Sequence, residues 1–145
     1  MFNHILLPTD GSELSESAIR QGIRLAESLK ARVTGLAVMP VQHAFSGEVV
    51  MPSEAIDAAE HRCREVATGY LSVIERTAQE AGVHCELVYE TSDHPYEVII
   101  RTAEHQKCDL IMMASHGRKG FTALLLGSET QKVLTHTKIP VLVSR

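Results

Sequence analysis

The sequence is short of the features that mark several large classes of protein. Its three cysteines, Cys63, Cys85 and Cys108, are odd in number and form no C-x-x-C pair. A disulfide framework is therefore not expected, and buried thiols in a reducing compartment, the cytoplasm, are. Positive charge is not in excess: 14 Lys and Arg stand against 18 Asp and Glu, a formal charge of -4. That balance argues against a general nucleic-acid binder, whose affinity for phosphate backbones comes from clustered basic residues. No apolar run approaches the roughly 18 residues that a membrane span requires. The first residues, Met1-Phe2-Asn3-His4 running into Ile5-Leu6-Leu7-Pro8, lack the basic flank and apolar length of a signal peptide. Linkers, internal repeats and low-complexity tracts are also missing, so a single domain over residues 1–145 is expected. The 44% hydrophobic and 22% charged residues are those of a globular chain with enough apolar material for one core.

The hydrophobic pattern alternates between two kinds of segment. Ile5-Leu6-Leu7 is a short apolar run stopped by Pro8-Thr9-Asp10-Gly11-Ser12, which predicts a buried strand followed by a turn. Leu14, Ala18, Gly22, Leu25 and Leu29 then recur at helical spacing, with Ser12 as the cap of a helix that runs to about Lys30. A second strand is expected over Val33 to Met39, and Val41 to Pro52 has no period and reads as a mobile surface loop. From Ser53 a long helix is expected to end near Gly82, with Ile56, Ala59, Cys63, Val66, Tyr70, Ile74 and Ala78 inward. His84 to Tyr89 predicts a third strand. Pro95 to Glu104 predicts a short helix with Val98, Ile99 and Ala103 inward. Asp109 to Ala114 is a second fully apolar strand. Ser128, with Gln131 three residues on, has the form of a capping box for a last helix to about His136. Ile139 to Val143 predicts a fifth strand.

Five strands alternating with four helical stretches define a doubly wound, Rossmann-like α/β fold with a parallel sheet. Ligands of such sheets sit beyond the carboxyl ends of the strands, where the winding direction reverses. The two polar, glycine-bearing loops follow strands one and four, and an order 3-2-1-4-5 brings them together. The flavodoxin-like order 2-1-3-4-5 would instead set the first loop beside Glu90-Thr91-Ser92-Asp93, an acidic stretch without glycine that a phosphate would avoid.

The loop Gly117-Arg118-Lys119-Gly120, followed by Gly127-Ser128 at a helix start, carries the chemistry. Glycines let main-chain N–H groups approach an anion, and a helix N-terminus offers free donors and a positive dipole end. Arg118 and Lys119 add mobile positive charge, and Ser128 offers a hydroxyl either to its own helix or to a phosphate oxygen. Across the switch point, Asp10 is an acceptor suited to a ribose hydroxyl pair. Read alone, the glycines serve equally as turn formers and Ser128 as a cap.

The combination of Pro8-Thr9-Asp10-Gly11-Ser12 with Ala114-x-x-Gly117, nine residues, and Gly127-Ser128 resembles the universal stress protein family over essentially the whole chain. Family members with Gly-x-x-Gly, nine residues, Gly-Ser/Thr bind ATP, and those lacking it generally do not. The resemblance implies ATP or AMP as ligand, with a divalent cation such as magnesium accompanying the triphosphate. It implies that Pro8, Thr9 and Asp10 belong to the site with Asp10 on the ribose, and that the main chain of Val38 meets the adenine. Met113 and Ala114 would line base and sugar, while His116, Gly117, Gly127, Ser128 and Glu129 would surround the phosphates, Arg118 lying among them. It also implies a homodimer through the last strand, whose Val141, Leu142 and Val143 form an edge guarded only by Pro140.

Two residues depart from the family pattern. Ala114 stands where the first glycine is usual, a change tolerated if its φ is negative. Glu129 replaces an apolar residue and puts a carboxylate near the expected phosphates, favourable to the helix dipole yet repulsive to a bound anion. These departures keep open a nucleotide-free interaction module of the same fold. A hydrolase acting through Asp10 and His116 is the third reading. The sequence lacks a G-x-S-x-G elbow and the Ser-Gly-Gly-x-Asp-Ser loop of α/β enzymes that cleave ATP between its α and β phosphates. Binding with at most slow hydrolysis is therefore expected, with no catalytic residue assigned. The eight histidines form no zinc-like spacing, so no metal ligand is assigned either. Tyr70 and Met112 are expected in the core.

Overall fold

A computed structural model describes residues 1–47, 49–118 and 125–145. In chain order the elements are β1 (His4–Thr9), α1 (Glu13–Leu29), β2 (Arg32–Met39), α2 (Ser53–Glu80), β3 (Cys85–Thr91), α3 (Pro95–His105), β4 (Leu110–Ala114), α4 (Ser128–His136) and β5 (Val141–Ser144). All neighbouring strands of the sheet are parallel, in the order β3-β2-β1-β4-β5. This is the order expected from the placement of the two polar loops.

The central strands read as continuous apolar runs because both their faces are covered. Ile5, Leu6 and Leu7 have no solvent exposure. Towards α1 and α2, Ile5, Leu7, Val33 and Met112 pack with Ile19, Ile23, Leu71 and Ile74. Towards α3 and α4, Leu6, Leu36, Ile111 and Met113 pack with Val98, Ile99 and Val133. Each such side chain contributes about 1.5–3 kcal/mol by leaving water, so the double cover fixes which residues of a strand face which pair of helices. Ser12 caps α1 as expected, accepting a hydrogen bond from the Ser15 N–H, and Pro95 sits in the first turn of α3.

Three expectations are corrected. The buried stripe of α1 is Ser15, Ala18, Ile19, Gly22, Ile23 and Ala26, while Leu14, Leu25 and Leu29 are half-buried on its flank. Small residues lie where the helix comes closest to the sheet, and the leucines fill the margin. On α2, Val66 is 43% exposed, and Ala67 and Leu71 take the inward direction instead. The stretch between β2 and α2 is not wholly irregular, because Phe45–Ser46 pairs antiparallel with Val49–Val50.

Parallel pairing brings the carboxyl ends of β1 and β4 side by side at the middle of the sheet. The chain winds from β1 towards β2 on one side and from β4 towards β5 on the other, so the switch point lies between Thr9 and Ala114. At the outer side of the sheet, β5 pairs only with β4 among the described residues, and Leu142 is 44% exposed. No helix among the described residues is long and apolar enough to cross a membrane.

Candidate functional site

The turn after β1 is held by its own side chains. Thr9 is buried, and its hydroxyl accepts from the Gly11 N–H at 3.1 Å and meets the Ser15 hydroxyl at 3.1 Å. Thr9 thus shapes the turn. Asp10 points across it: Oδ1 accepts from the Ser12 N–H at 3.0 Å and Oδ2 from the Arg118 N–H at 2.9 Å. Burial favours the protonated carboxyl, but hydrogen bonds from Ser12, the Arg118 main chain and Ser15 outweigh it, so Asp10 titrates below the usual carboxylate range. It is a fixed anion and acceptor at neutral pH. Pro8 is half-buried within the last turn of β1 pairing, opposite Leu36.

The β1–β2 ladder ends at Thr9 opposite Ala37, whereas the β2–β3 ladder continues through Val38 opposite Glu90 to Met39 opposite Thr91. The main-chain edge of Val38 that faces β1 therefore has no strand partner among the described residues. A planar ligand with donor and acceptor edges can use it.

The loop after β4 closes over this space. Met113, Ala114 and Ser115 are buried, His116 and Gly117 half-buried. A Cβ on Gly117 would run into Asp10 Oδ2, so the carboxylate can reach the loop only because that residue has no side chain. Gly127 donates its N–H to the Ser115 carbonyl at 2.7 Å, and a Cβ there would lie 3.0 Å from His116 Cα. Close approach thus requires a glycine at 117 and makes any side chain at 127 a tight fit. The φ of Ala114 is not positive, since Lys30 and Lys107 are the described non-glycine residues in that region, and the extra methyl is accommodated. The Ala114 carbonyl accepts from the Thr130 hydroxyl at 3.0 Å, tying α4 to the end of β4.

The capping box expected at Ser128 does not form. The cap residue of α4 is Gly127, no side chain among the described residues closes that end, and Ser128 is the first helical residue. The Gln131 amide instead donates to the Leu126 carbonyl at 2.8 Å. Close packing of Gly127 on His116 shifts the helix start by one residue and leaves the Ser128 hydroxyl exposed and the first-turn N–H groups without a capping side chain. Glu129 lies in that turn, but its carboxylate is drawn aside: Oε2 accepts from the Tyr96 N–H of α3 at 2.9 Å and Oε1 from Lys132 Nζ at 3.3 Å. Its charge caps α3, whose own cap residue, His94, makes no side-chain bond, and is offset by Lys132.

Arg118 completes the closure. Its Nε donates to the Asp10 carbonyl at 2.8 Å and Nη2 to the Gly11 carbonyl at 3.3 Å, and its guanidinium carbon lies 5.3 Å from the Tyr70 ring centre. Tyr70, expected in the core, is half-buried and fills the space beside Gly11; it belongs to the rim of the site. Met112 is core as expected, 3% exposed. Lys119 and Gly120 lie outside the described residues. A cleft of about 480 Å³ runs between the first turn of α1 and this loop, lined by Ser12, Glu13, Leu14, Ser17, His116 and Gly117. A larger one, about 600 Å³, lies near Asp57, Glu60, Arg64 and Glu90, with Arg64 laid on Tyr89, and has none of the loop residues after β1 and β4 in its lining. Sequence reasoning missed Tyr70, Tyr96 and Thr130. A hydroxyl two residues after a candidate phosphate serine was the one available signal, for Thr130.

The parallel order, with the loops after β1 and β4 meeting through Asp10 and Arg118 where the winding reverses, defines a doubly wound, Rossmann-like α/β protein. The chain belongs to the universal stress protein family, whose model matches residues 1–145. Among its relatives, universal stress protein MJ0531 of Methanocaldococcus jannaschii is 32% identical over 146 residues, which cover 99% of this chain and 82% of that one. Among solved structures, that of MJ0577 superposes with a TM-score of 0.81 at 28% identity, covering 99% of this chain and 96% of the other. The universal stress protein from Archaeoglobus fulgidus in complex with dAMP has the same fold, with a TM-score of 0.61 at 18% identity over 100% of this chain and 98% of the other.

Proposed function

We propose that this universal stress protein binds an adenine nucleotide, ATP or AMP, at the switch point between β1 and β4 and acts as a nucleotide-dependent module of a stress response. The observation that carries this reading is that one loop, after β4, touches both an ionised acceptor and a helix start without a side-chain cap: Arg118 donates to Asp10, and Ser115 and His116 pack on Gly127. Ribose hydroxyls match the first and phosphates the second. The adenine would use the unpaired edge of Val38, with Met113 and Ala114 beneath base and sugar. The phosphates would take the N–H groups of Ser128 and Glu129 and the Ser128 hydroxyl, beside His116, Gly117 and Gly127. That the same fold holds dAMP in the Archaeoglobus protein supports the ligand class. A divalent cation such as magnesium would accompany the triphosphate.

Asp10, whose carboxylate already accepts two hydrogen bonds and titrates low, is an anchor and not a poised base. Turnover is accordingly slow, and the output is a change of shape or partner. The exposed edge of β5 pairs with its own copy about a two-fold axis, giving a dimer of twice 15.9 kDa in sedimentation. Thermal unfolding tests the nucleotide reading: a ligand held at 100 times its dissociation constant adds about 2.7 kcal/mol to the folded state. ATP or AMP should raise the melting temperature. No shift with either, with or without magnesium, overturns this reading in favour of a nucleotide-free interaction module.

A further inference from the structure

We infer that Arg118 selects among adenine ligands by their phosphates, because it must exchange one set of acceptors for another when the site is used. The inference rests on the nucleotide reading above. Arg118 holds the turn after β1 by three hydrogen bonds: its main-chain N–H to Asp10 Oδ2 at 2.9 Å, Nε to the Asp10 carbonyl at 2.8 Å and Nη2 to the Gly11 carbonyl at 3.3 Å. The guanidinium is also placed against the Tyr70 ring, at 5.3 Å from its centre. Gly117 packs so tightly on Asp10 Oδ2 that even a methyl group has no room between them. In the inferred exchange a ribose hydroxyl takes the place of the Arg118 N–H on this oxygen, and the Arg118 side chain gives up its bonds to the Asp10 and Gly11 carbonyls as the segment shifts.

What replaces those bonds depends on the ligand. A nucleoside gives the freed guanidinium no anionic acceptor, and the lost bonds count against binding. A phosphate chain running from the ribose towards Ser128 gives it a doubly accepting anion, for which a guanidinium forms shorter and stronger bonds than to neutral carbonyls. The same side chain opposes adenosine and favours ATP, with AMP between them. A ligand shifts such an equilibrium only by its different affinity for the two arrangements, and the phosphates supply that difference.

The test is calorimetric titration of adenosine, AMP and ATP into the parent protein, Arg118→Met and Arg118→Lys. Amide exchange of β1 and β4 as slow as in the parent shows that the variants are folded. In Arg118→Met, adenosine should bind about fivefold more tightly and ATP about tenfold more weakly, so the two ligands move in opposite directions. Arg118→Lys keeps the charge and loses the planar fork: adenosine should gain as it does with Met, and ATP should lose less. Equal changes for adenosine and ATP overturn the inference and reduce Arg118 to a packing role. A lysine variant indistinguishable from the parent with both ligands also overturns it, because charge alone then accounts for Arg118. Failure of all three ligands to bind the parent overturns the nucleotide reading itself, and the selection with it.

Discussion

The two helices that start at the switch point are finished in opposite ways. The start of α1 is complete: Ser12 accepts from the Ser15 N–H, Glu13 and Glu16 complement the dipole, and the preceding turn is fastened by Thr9 and Asp10. The start of α4 has a glycine for its cap residue and no side-chain bond, and its first-turn acid, Glu129, is turned to Tyr96 of α3. A helix that satisfies its own donors has only stability to gain. One that leaves them without a side-chain partner can offer them to an anion, as the proposed function requires. Under the proposed function, the start of α1 is scaffold and the start of α4 is receptor.

The largest expected effect comes from filling the receptor side. Gly127→Val forces a side chain against the His116 backbone and should weaken ATP at least about a hundredfold by calorimetry, an amount equal to roughly 2.8 kcal/mol, with far-ultraviolet dichroism unchanged. Asp10→Asn removes the charge that accepts from Ser12 and Arg118; ATP affinity should fall about tenfold. Its low titration also matters for stability: a carboxyl depressed in the folded protein stabilises it above the unfolded pKa, and that stabilisation is lost as pH falls through the folded value.

The two serines sharpen the comparison most cleanly. Ser12→Ala should cost about 1 kcal/mol in denaturant unfolding and leave nucleotide affinity within roughly twofold. Ser128→Ala should do the reverse, leaving stability unchanged and weakening ATP by about fivefold, close to 1 kcal/mol. A loss of stability in Ser128→Ala, or of affinity in Ser12→Ala, breaks the distinction between scaffold and receptor.

The smallest effect lies at the opposite end of the sheet. His4 is buried, with Nε2 at 2.7 Å from the Thr34 hydroxyl and Nδ1 without a partner. Burial and the Arg32 charge lower its pKa, outweighing the Gln106 carbonyl and the carboxylates of Glu86 and Asp109. The unfolded chain then binds the proton first, so stability should fall as pH drops below about 6.5 towards the lower folded value. Urea unfolding between pH 7 and 5 reads this directly, and His4→Gln should flatten the slope without changing ATP affinity.

The sequence disclosed the strand order and the two loops because these depend on local signals: unbroken apolar runs, turn residues at their ends and glycines at fixed spacing. It misplaced what depends on distance of approach. On α1 the expected Ala18 and Gly22 do face the sheet, but hydrophobicity favoured Leu14, Leu25 and Leu29 where the helix turns Ser15, Ile19, Ile23 and Ala26 inward. Ser128 fits the pattern of a capping residue, but the packing of Gly127 on His116 starts the helix earlier. Long side chains were the least legible. Nothing local to Arg118, Glu129 or Tyr70 shows that the first brackets the turn after β1, the second caps α3, or the third stands at the rim of the cleft. Their partners come from other elements, so only the assembled fold names them.

Amide chemical-shift mapping during titration with ATP tests the division between the two helix starts most directly. The account predicts the largest shifts at Gly127, Ser128, Glu129 and Thr130, with Arg118 responding as its bond to Asp10 is exchanged, and smaller ones at Glu13 and Leu14, which border the neighbouring cleft. Shifts centred on the first turn of α1, with α4 unmoved, would contradict it.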